Sequence, residues 1–172
     1  MPHYRVTLAY DGTDFLGWQL QRGAGRTVQG VLEEALGRLA GGGTRVAVAG
    51  AGRTDAGVHA LGQVAAFSLP RDLEPDELQR ALNALLPPDA RVLEAAVASP
   101  GFHPRRSAVS KLYRYELECG GVPLPQRRRR PSSPSAPHLP KSSRGNTSSS
   151  SECATSGAIS SRQKRLTFSL TA

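Results

Sequence analysis

Between His3 and Tyr10 every second residue is apolar, with Tyr4, Val6, Leu8 and Tyr10 on one side, the period of a strand with one buried face. Asp11-Gly12-Thr13 interrupts that alternation. From Thr27 the period changes: Val28, Val31, Leu32, Ala35, Leu36 and Leu39 fall on one stripe at helical spacing, and Gly41 to Gly43 end it. Arg45 to Gly50 and Gly62 to Leu69 read as two strands, and the short connection between them predicts an antiparallel pair. Pro75 suits a first helical position; Leu78, Ala81, Leu82 and Leu85 form the stripe of a second helix that Pro87-Pro88 stops. Arg91 to Ala98 reads as a fourth strand and Lys111 to Glu118 as a fifth.

Up to Ala98 the order is strand, helix, strand, strand, helix, strand. It predicts an α+β fold of the split βαβ, ferredoxin-like kind: an antiparallel sheet with two helices on one face and the other face open. RNA-recognition modules use such an open face, as do many unrelated proteins. The closely spaced aromatics of the RNA-recognition consensus are absent from Gln63 to Phe67, so a plain single-strand-binding module of that kind is not supported. From Gly120 the character changes. Arg127 to Arg130 is an unbroken basic run, and beyond it Ser, Pro, Lys and Arg dominate, with no strand or helix periodicity before Leu166 to Leu170. Such a stretch buries too little apolar surface to offset its ordering entropy, so residues 1–119 are expected to form the folded body and 120–172 a disordered basic tail.

Charge changes that picture less than its total suggests. The chain of 172 residues has a formal net charge of +8, which by itself points to a nucleic-acid partner. Residues 1–119, however, hold 13 Lys+Arg against 13 Asp+Glu, and the whole excess lies in the tail. The tail's basic run would hold nucleic acid loosely, act as a localisation signal, or simply be a solvated charged segment. Cys119 and Cys153 are far apart, with one in the low-complexity stretch, which argues against a disulfide framework and for a reducing compartment. No charged start with an apolar core precedes the first strand, and no apolar run approaches the roughly 20 residues of a membrane span. A cytoplasmic location is expected, with a mitochondrial one as the alternative.

Candidate chemistry concentrates between the second and third strands. Gly50 to Ala60 reads Gly-Ala-Gly-Arg-Thr-Asp-Ala-Gly-Val-His-Ala. A dinucleotide loop would need a third glycine where Asp55 stands, and the chain beyond the loop is strand-like, leaving no helix N-terminus for a pyrophosphate. No Gly-Lys-Ser or Gly-Lys-Thr occurs, which removes the P-loop. The glycines are better explained as backbone freedom around Asp55, allowing tight turns and close approach of a substrate. On the loop alone, an ordinary turn aspartate accepting local N–H bonds is the favoured explanation of Asp55. His59 and His103 read as hydrogen-bonded structural histidines, with no second ligand pair at metal spacing. Trp18 reads as packing and Tyr115 as a core aromatic. Arg105, Arg106, Lys111 and Arg114 form a local basic cluster suited to phosphates or to a solvated face.

Taken in order, several motifs carry a resemblance. Tyr10-Asp11-Gly12-Thr13 with Phe15, Gly17-Trp18-Gln19 and Gln21, then Thr27-Val28-Gln29 with Leu32-Glu33, then Gly50 to Ala60 with Gly62-Gln63-Val64, are similar to the TruA family of tRNA pseudouridine synthases. Asn83 with Leu86-Pro87, Phe102-His103-Pro104-Arg105 with Ala108, and Lys111 with Tyr113 and Tyr115 continue the match over roughly residues 3–118.

The resemblance implies an enzyme that isomerises uridine to pseudouridine in tRNA, without cofactor or metal. It carries the essential aspartate over to Asp55. It places on Tyr113 the tyrosine that stacks on the target base, and on Arg53 an arginine that contacts the RNA near the extracted nucleotide. A carboxylate suits this chemistry, since near C1′ it can stabilise or bond to the detached sugar, and removal of the C2′ proton is a second route open to it. A stacked base must first leave its stem, which calls for an aromatic platform. Family members continue with a second half that completes the sheet and adds a basic partner for the aspartate. Here the resemblance stops near Glu118, so the chain reads as the N-terminal half, a shortened form. Two expectations follow: an active synthase, with a homodimer as one way to replace the missing half, or a catalytically silent fragment that binds RNA or protein.

Overall fold

The computed structural model describes residues 1–21, 23, 25–117 and 162–167, and the fold follows from where their apolar faces meet. Strand β1 (His3–Tyr10) buries Tyr4, Val6, Leu8 and Tyr10 and leaves the alternate residues partly open. Helix α1 (Val28–Leu39) begins where the Thr27 hydroxyl accepts the Gly30 N–H, which satisfies one of the first-turn donors. It ends at Gly41 to Gly43, all with positive φ. Strand β2 (Ala49–Gly50) leads by the glycine-rich loop to β3 (His59–Ser68). Helix α2 (Pro75–Leu85) starts on Pro75, carries Asp76 and Glu77 in its first turn, where the helix dipole favours them, and is followed by β4 (Ala90–Val97).

Both helices pack on the face of β1 that carries the four buried residues. Val28, Leu32 and Leu36 of α1, Leu78 and Leu82 of α2, and Phe67 and Val92 of the flanking strands form one cluster with them. Each such side chain contributes about 1.5–3 kcal/mol on burial. β1 lies between β4 and β3, antiparallel to both, with Tyr4 opposite Phe67 on one side and Val97 on the other. This is the split βαβ sheet expected from the element order. It is extended by β5 (Leu112–Leu117) and β6 (Arg162–Thr167), giving the order β4-β1-β3-β6-β5.

Two features depart from the sequence reading. Only Ala49 and Gly50 of the expected strand 45–50 pair with β3. Val46 and Val48 are buried in alternation, as in a strand, but the backbone of Val48 is bonded by α1 side chains: Glu33 accepts its N–H at 3.3 Å and the Gln29 amide donates to its carbonyl at 3.2 Å. Hydrogen bonds from a helix thus take the place of a ladder. The second departure is β6, a strand at Arg162–Thr167 within the stretch 120–172 that was expected to be disordered. It runs parallel to β3, pairing Leu166 with Ala60, and antiparallel to β5, pairing Leu166 with Tyr113. The remaining tail, including Arg127 to Arg130 and both cysteines, lies outside the described residues, as does the side chain of Tyr115.

Candidate functional site

The loop from Ala51 to Val58 is held by hydrogen bonds at most of its peptides, including those on both sides of Asp55. At its start the Ala51 N–H donates to the Val64 carbonyl at 2.8 Å, and the Gln63 amide, from β3, donates to the Gly52 carbonyl at 2.7 Å. In the middle, the Tyr10 and Thr54 hydroxyls are 2.9 Å apart and buried, and the Trp18 N–H donates to the Thr54 carbonyl at 2.9 Å. At its end the Gly57 N–H donates to the Phe15 carbonyl at 3.2 Å. The Val58 N–H donates to the Asp55 carbonyl, closing a turn whose third residue, Gly57, has φ of 76°.

Close approach of two backbones makes this possible. A Cβ on Gly12 would stand 2.0 Å from the Val58 carbonyl oxygen, and one on Gly17, at φ of 92°, would stand 2.4 Å from that of Thr54. The segment from Asp11 to Trp18 therefore lies directly on the loop, and its motif residues Gly12 and Gly17 are there for contact with it. The outcome is a clamped loop with one exposed carboxylate: Asp55 is exposed, and its side chain bonds to none of the described residues.

Arg53 is also exposed and lines an open cleft of about 220 Å3 together with Trp18, Gln29, Gly50, His103 and Arg105. Asp55 is not part of that cleft's wall. Tyr113, 48% exposed, sits in the sheet row Ala60–Leu166–Tyr113, two strand spacings or about 10 Å from Ala60. Two residues before it, the Lys111 ammonium donates to the Ala51 carbonyl at 2.9 Å and ties the start of β5 to the start of the loop. The three residues expected at the site thus lie on or near one end of β3, Arg53 and Asp55 on the loop itself and Tyr113 across β6.

The basic cluster read from sequence is divided. Arg105 faces the cleft, Lys111 is bonded to Ala51, and Arg106 and Arg114 are exposed. His103 is structural in the manner expected: its Nδ1 accepts the N–H groups of Arg105 and Arg106 at 3.2 and 3.4 Å. His59 is buried with Nδ1 3.3 Å from the Gly12 N–H and 3.1 Å from an Asp11 carboxylate oxygen. Trp18, 2% exposed, is packed as expected, against Tyr10 and Gly50.

Sequence reasoning missed the polar brace beneath the site. Gln29 is buried, and its carbonyl oxygen accepts the Leu20 N–H and the Gln19 amide while its amide donates to Glu33 and Val48. The signal available was two polar residues, Gln29 and Glu33, one turn apart on a helix whose other motif positions are apolar. Tyr10 was read as a strand-face and motif position, with no part in holding the loop. Burial pushes its hydroxyl up to about 12, against a smaller opposing effect of the bond to Thr54.

Among the described residues no group of three or more His, Cys, Asp or Glu is placed to hold a metal ion. No helix among them is long and apolar enough to cross a membrane.

Comparison with known proteins places these features in a family. The family described as tRNA pseudouridine synthase matches residues 7–105, which includes the second half of β1, α1, the clamped loop and Arg105. The tRNA pseudouridine synthase A of Solidesulfovibrio magneticus is 55% identical over 130 residues, covering 74% of this chain and 47% of that protein. That of Latilactobacillus sakei is 49% identical over 126 residues, covering 73% and 50%. That of Maridesulfovibrio salexigens is 53% identical over 117 residues, covering 68% and 42%. The chain spans about half the length of the curated relatives it matches.

Proposed function

The chain belongs to the tRNA pseudouridine synthase family, and from that premise we propose that its clamped loop acts on the sugar of a uridine in tRNA during isomerisation to pseudouridine. The observation that carries this reading is the state of Asp55, an exposed carboxylate without a side-chain partner among the described residues, on a loop fixed on both sides of it. A turn aspartate kept for structure would engage its oxygens with nearby N–H groups. Asp55 engages none of those described.

In the proposed reaction the N1–C1′ bond breaks, the base turns, a C5–C1′ bond forms, and the C5 proton leaves to solvent. Asp55 either bonds to C1′ while the base turns or removes the C2′ proton; both are within the reach of a carboxylate beside the ribose. Tyr113, half-exposed, is assigned to stacking on the displaced base, and Arg53 to contact with the RNA beside it. No cofactor is required. Residues 1–119 are assigned to the catalytic half and the basic tail to loose RNA contact.

Because C5 exchanges its hydrogen for carbon, release of tritium from tRNA labelled at uridine C5 measures the reaction directly. The proposal expects release by the full chain. A second reading, RNA binding without turnover, predicts retained RNA affinity with no tritium released. In the first reading a homodimer is the assembly expected to complete the sheet, and a mass measurement in solution checks it.

A further inference from the structure

Four side chains on the wall of the cleft beside the loop, Trp18, Arg53, His103 and Arg105, are hydrogen-bond donors. The side chains of Arg53 and Arg105, both on its wall, form no bond or ion pair with described residues, whereas Arg5, Arg26, Arg38 and Arg45 are each paired with a carboxylate. His103 gives up the lone pair of Nδ1 to two backbone N–H groups, so in its neutral form Nε2 carries the proton and is a donor. Trp18, 2% exposed, belongs to the same wall, yet its indole N–H has no acceptor among the described residues. That donor lies against Gly50, where a Cβ would stand only 2.6 Å from Nε1; the missing side chain keeps the cleft open at the indole. No Asp or Glu lines the space. Two guanidiniums, an imidazole N–H and an unbonded indole N–H around about 220 Å3 with no carboxylate among them match an anion with several acceptor oxygens.

We propose that this cleft holds one backbone phosphate of the RNA strand whose uridine Asp55 acts on, with Arg105 and the Trp18 N–H as its principal partners. The inference rests on the functional reading above for the identity of the RNA, but not for the anion. Arg53 lies two residues before Asp55 and reaches the cleft, so a phosphate seated there sets the position of the strand along the loop. Phosphate contacts fix register without reading sequence, which suits an enzyme that must place one ribose against a fixed carboxylate.

Trp18 is the chain's one tryptophan, so its fluorescence reports this cleft alone. Titration of the full chain with inorganic phosphate, at constant ionic strength set by chloride, is expected to give a saturable change. Arg105→Ala should weaken it about tenfold or more, Arg105→Lys should restore part of it, and Arg71→Ala, an exposed arginine away from the cleft, should leave it as in the parent chain. No saturable change, or an equal one in Arg105→Ala, overturns the site. A second arm uses a short single-stranded RNA: it should compete with phosphate for the same signal, and Arg105→Ala should lower the slope of log affinity against log salt by about 0.7. Binding of free phosphate with no competition by RNA overturns the assignment to the strand. Asp55→Ala separates the two readings: it should keep the phosphate response while ending tritium release.

Discussion

The Tyr10 hydroxyl lies 2.9 Å from the Thr54 hydroxyl, both buried, and so the last residue of β1 is bonded to the residue immediately before the candidate catalytic carboxylate. A core strand thereby sets the position of an exposed loop. The bond carries a consequence for stability as well as position, because each hydroxyl is the other's side-chain partner in a place with little access to water.

Tyr10→Phe should therefore cost about 1–3 kcal/mol, the penalty of leaving the Thr54 hydroxyl buried and unpaired. The double change Tyr10→Phe with Thr54→Val should cost less than the sum of the two single changes, since it removes both polar partners. Urea unfolding of the three variants measures this; strictly additive losses would mean that the hydroxyls are not coupled.

The same hydroxyl gives a pH dependence of known sign. Tyr10 is raised to about 12 by burial, whereas an unfolded tyrosine titrates near 10. Between those values the folded chain keeps a proton that the unfolded chain has lost, so the contribution of Tyr10 is complete below about pH 10 and falls away as the pH rises toward 12. Unfolding midpoints between about pH 9 and 11.5 should drop less steeply in Tyr10→Phe than in the parent chain. Tyr4, also raised by burial, remains in both and accounts for part of the residual slope.

Gly12→Ala tests the contact of the two backbones. A methyl group there meets the Val58 carbonyl oxygen and the backbone around it, with no flexible side chain able to give way. The expected loss is about 1–3 kcal/mol, with activity falling further than stability because the displaced segment is the one that aims Asp55. Thermal unfolding and tritium release on the same sample compare the two.

For RNA affinity, the balanced charge of residues 1–119 and the excess in the tail predict different salt responses. Replacing Arg127 to Arg130 by glutamine should flatten the dependence of affinity on salt by about 0.7–0.9 for each phosphate the run neutralises. A slope that does not change would place the electrostatic contact in the body.

Much of the scaffold was legible in the chain because single residues mark it. The alternation from Tyr4 to Tyr10 and the brackets Pro75 and Pro87-Pro88 locate β1 and α2 without reference to anything distant. β2 was not legible. Val46 and Val48 alternate as a strand would, and only the side chains of Gln29 and Glu33, arriving from a helix far earlier in sequence, decide that the backbone there is bonded otherwise. The position of β6 depends on pairing with β3 and β5, and no local pattern announces it. At the site, the motif pointed to Asp55 and Arg53, while the clamp formed by Tyr10, Gly12 and Gly17 and the cleft joining Arg53 to Arg105 arise from contacts between segments far apart in sequence.

The most direct test of the central claim is tritium release from unmodified tRNA labelled at uridine C5, measured for the full chain and for Asp55→Ala at equal RNA occupancy. Exposed and unbonded among the described residues, Asp55 can be replaced with little effect on folding, so the account predicts release by the parent chain, unchanged RNA affinity in the variant, and loss of release to background. Release by Asp55→Ala at the parent rate would contradict it.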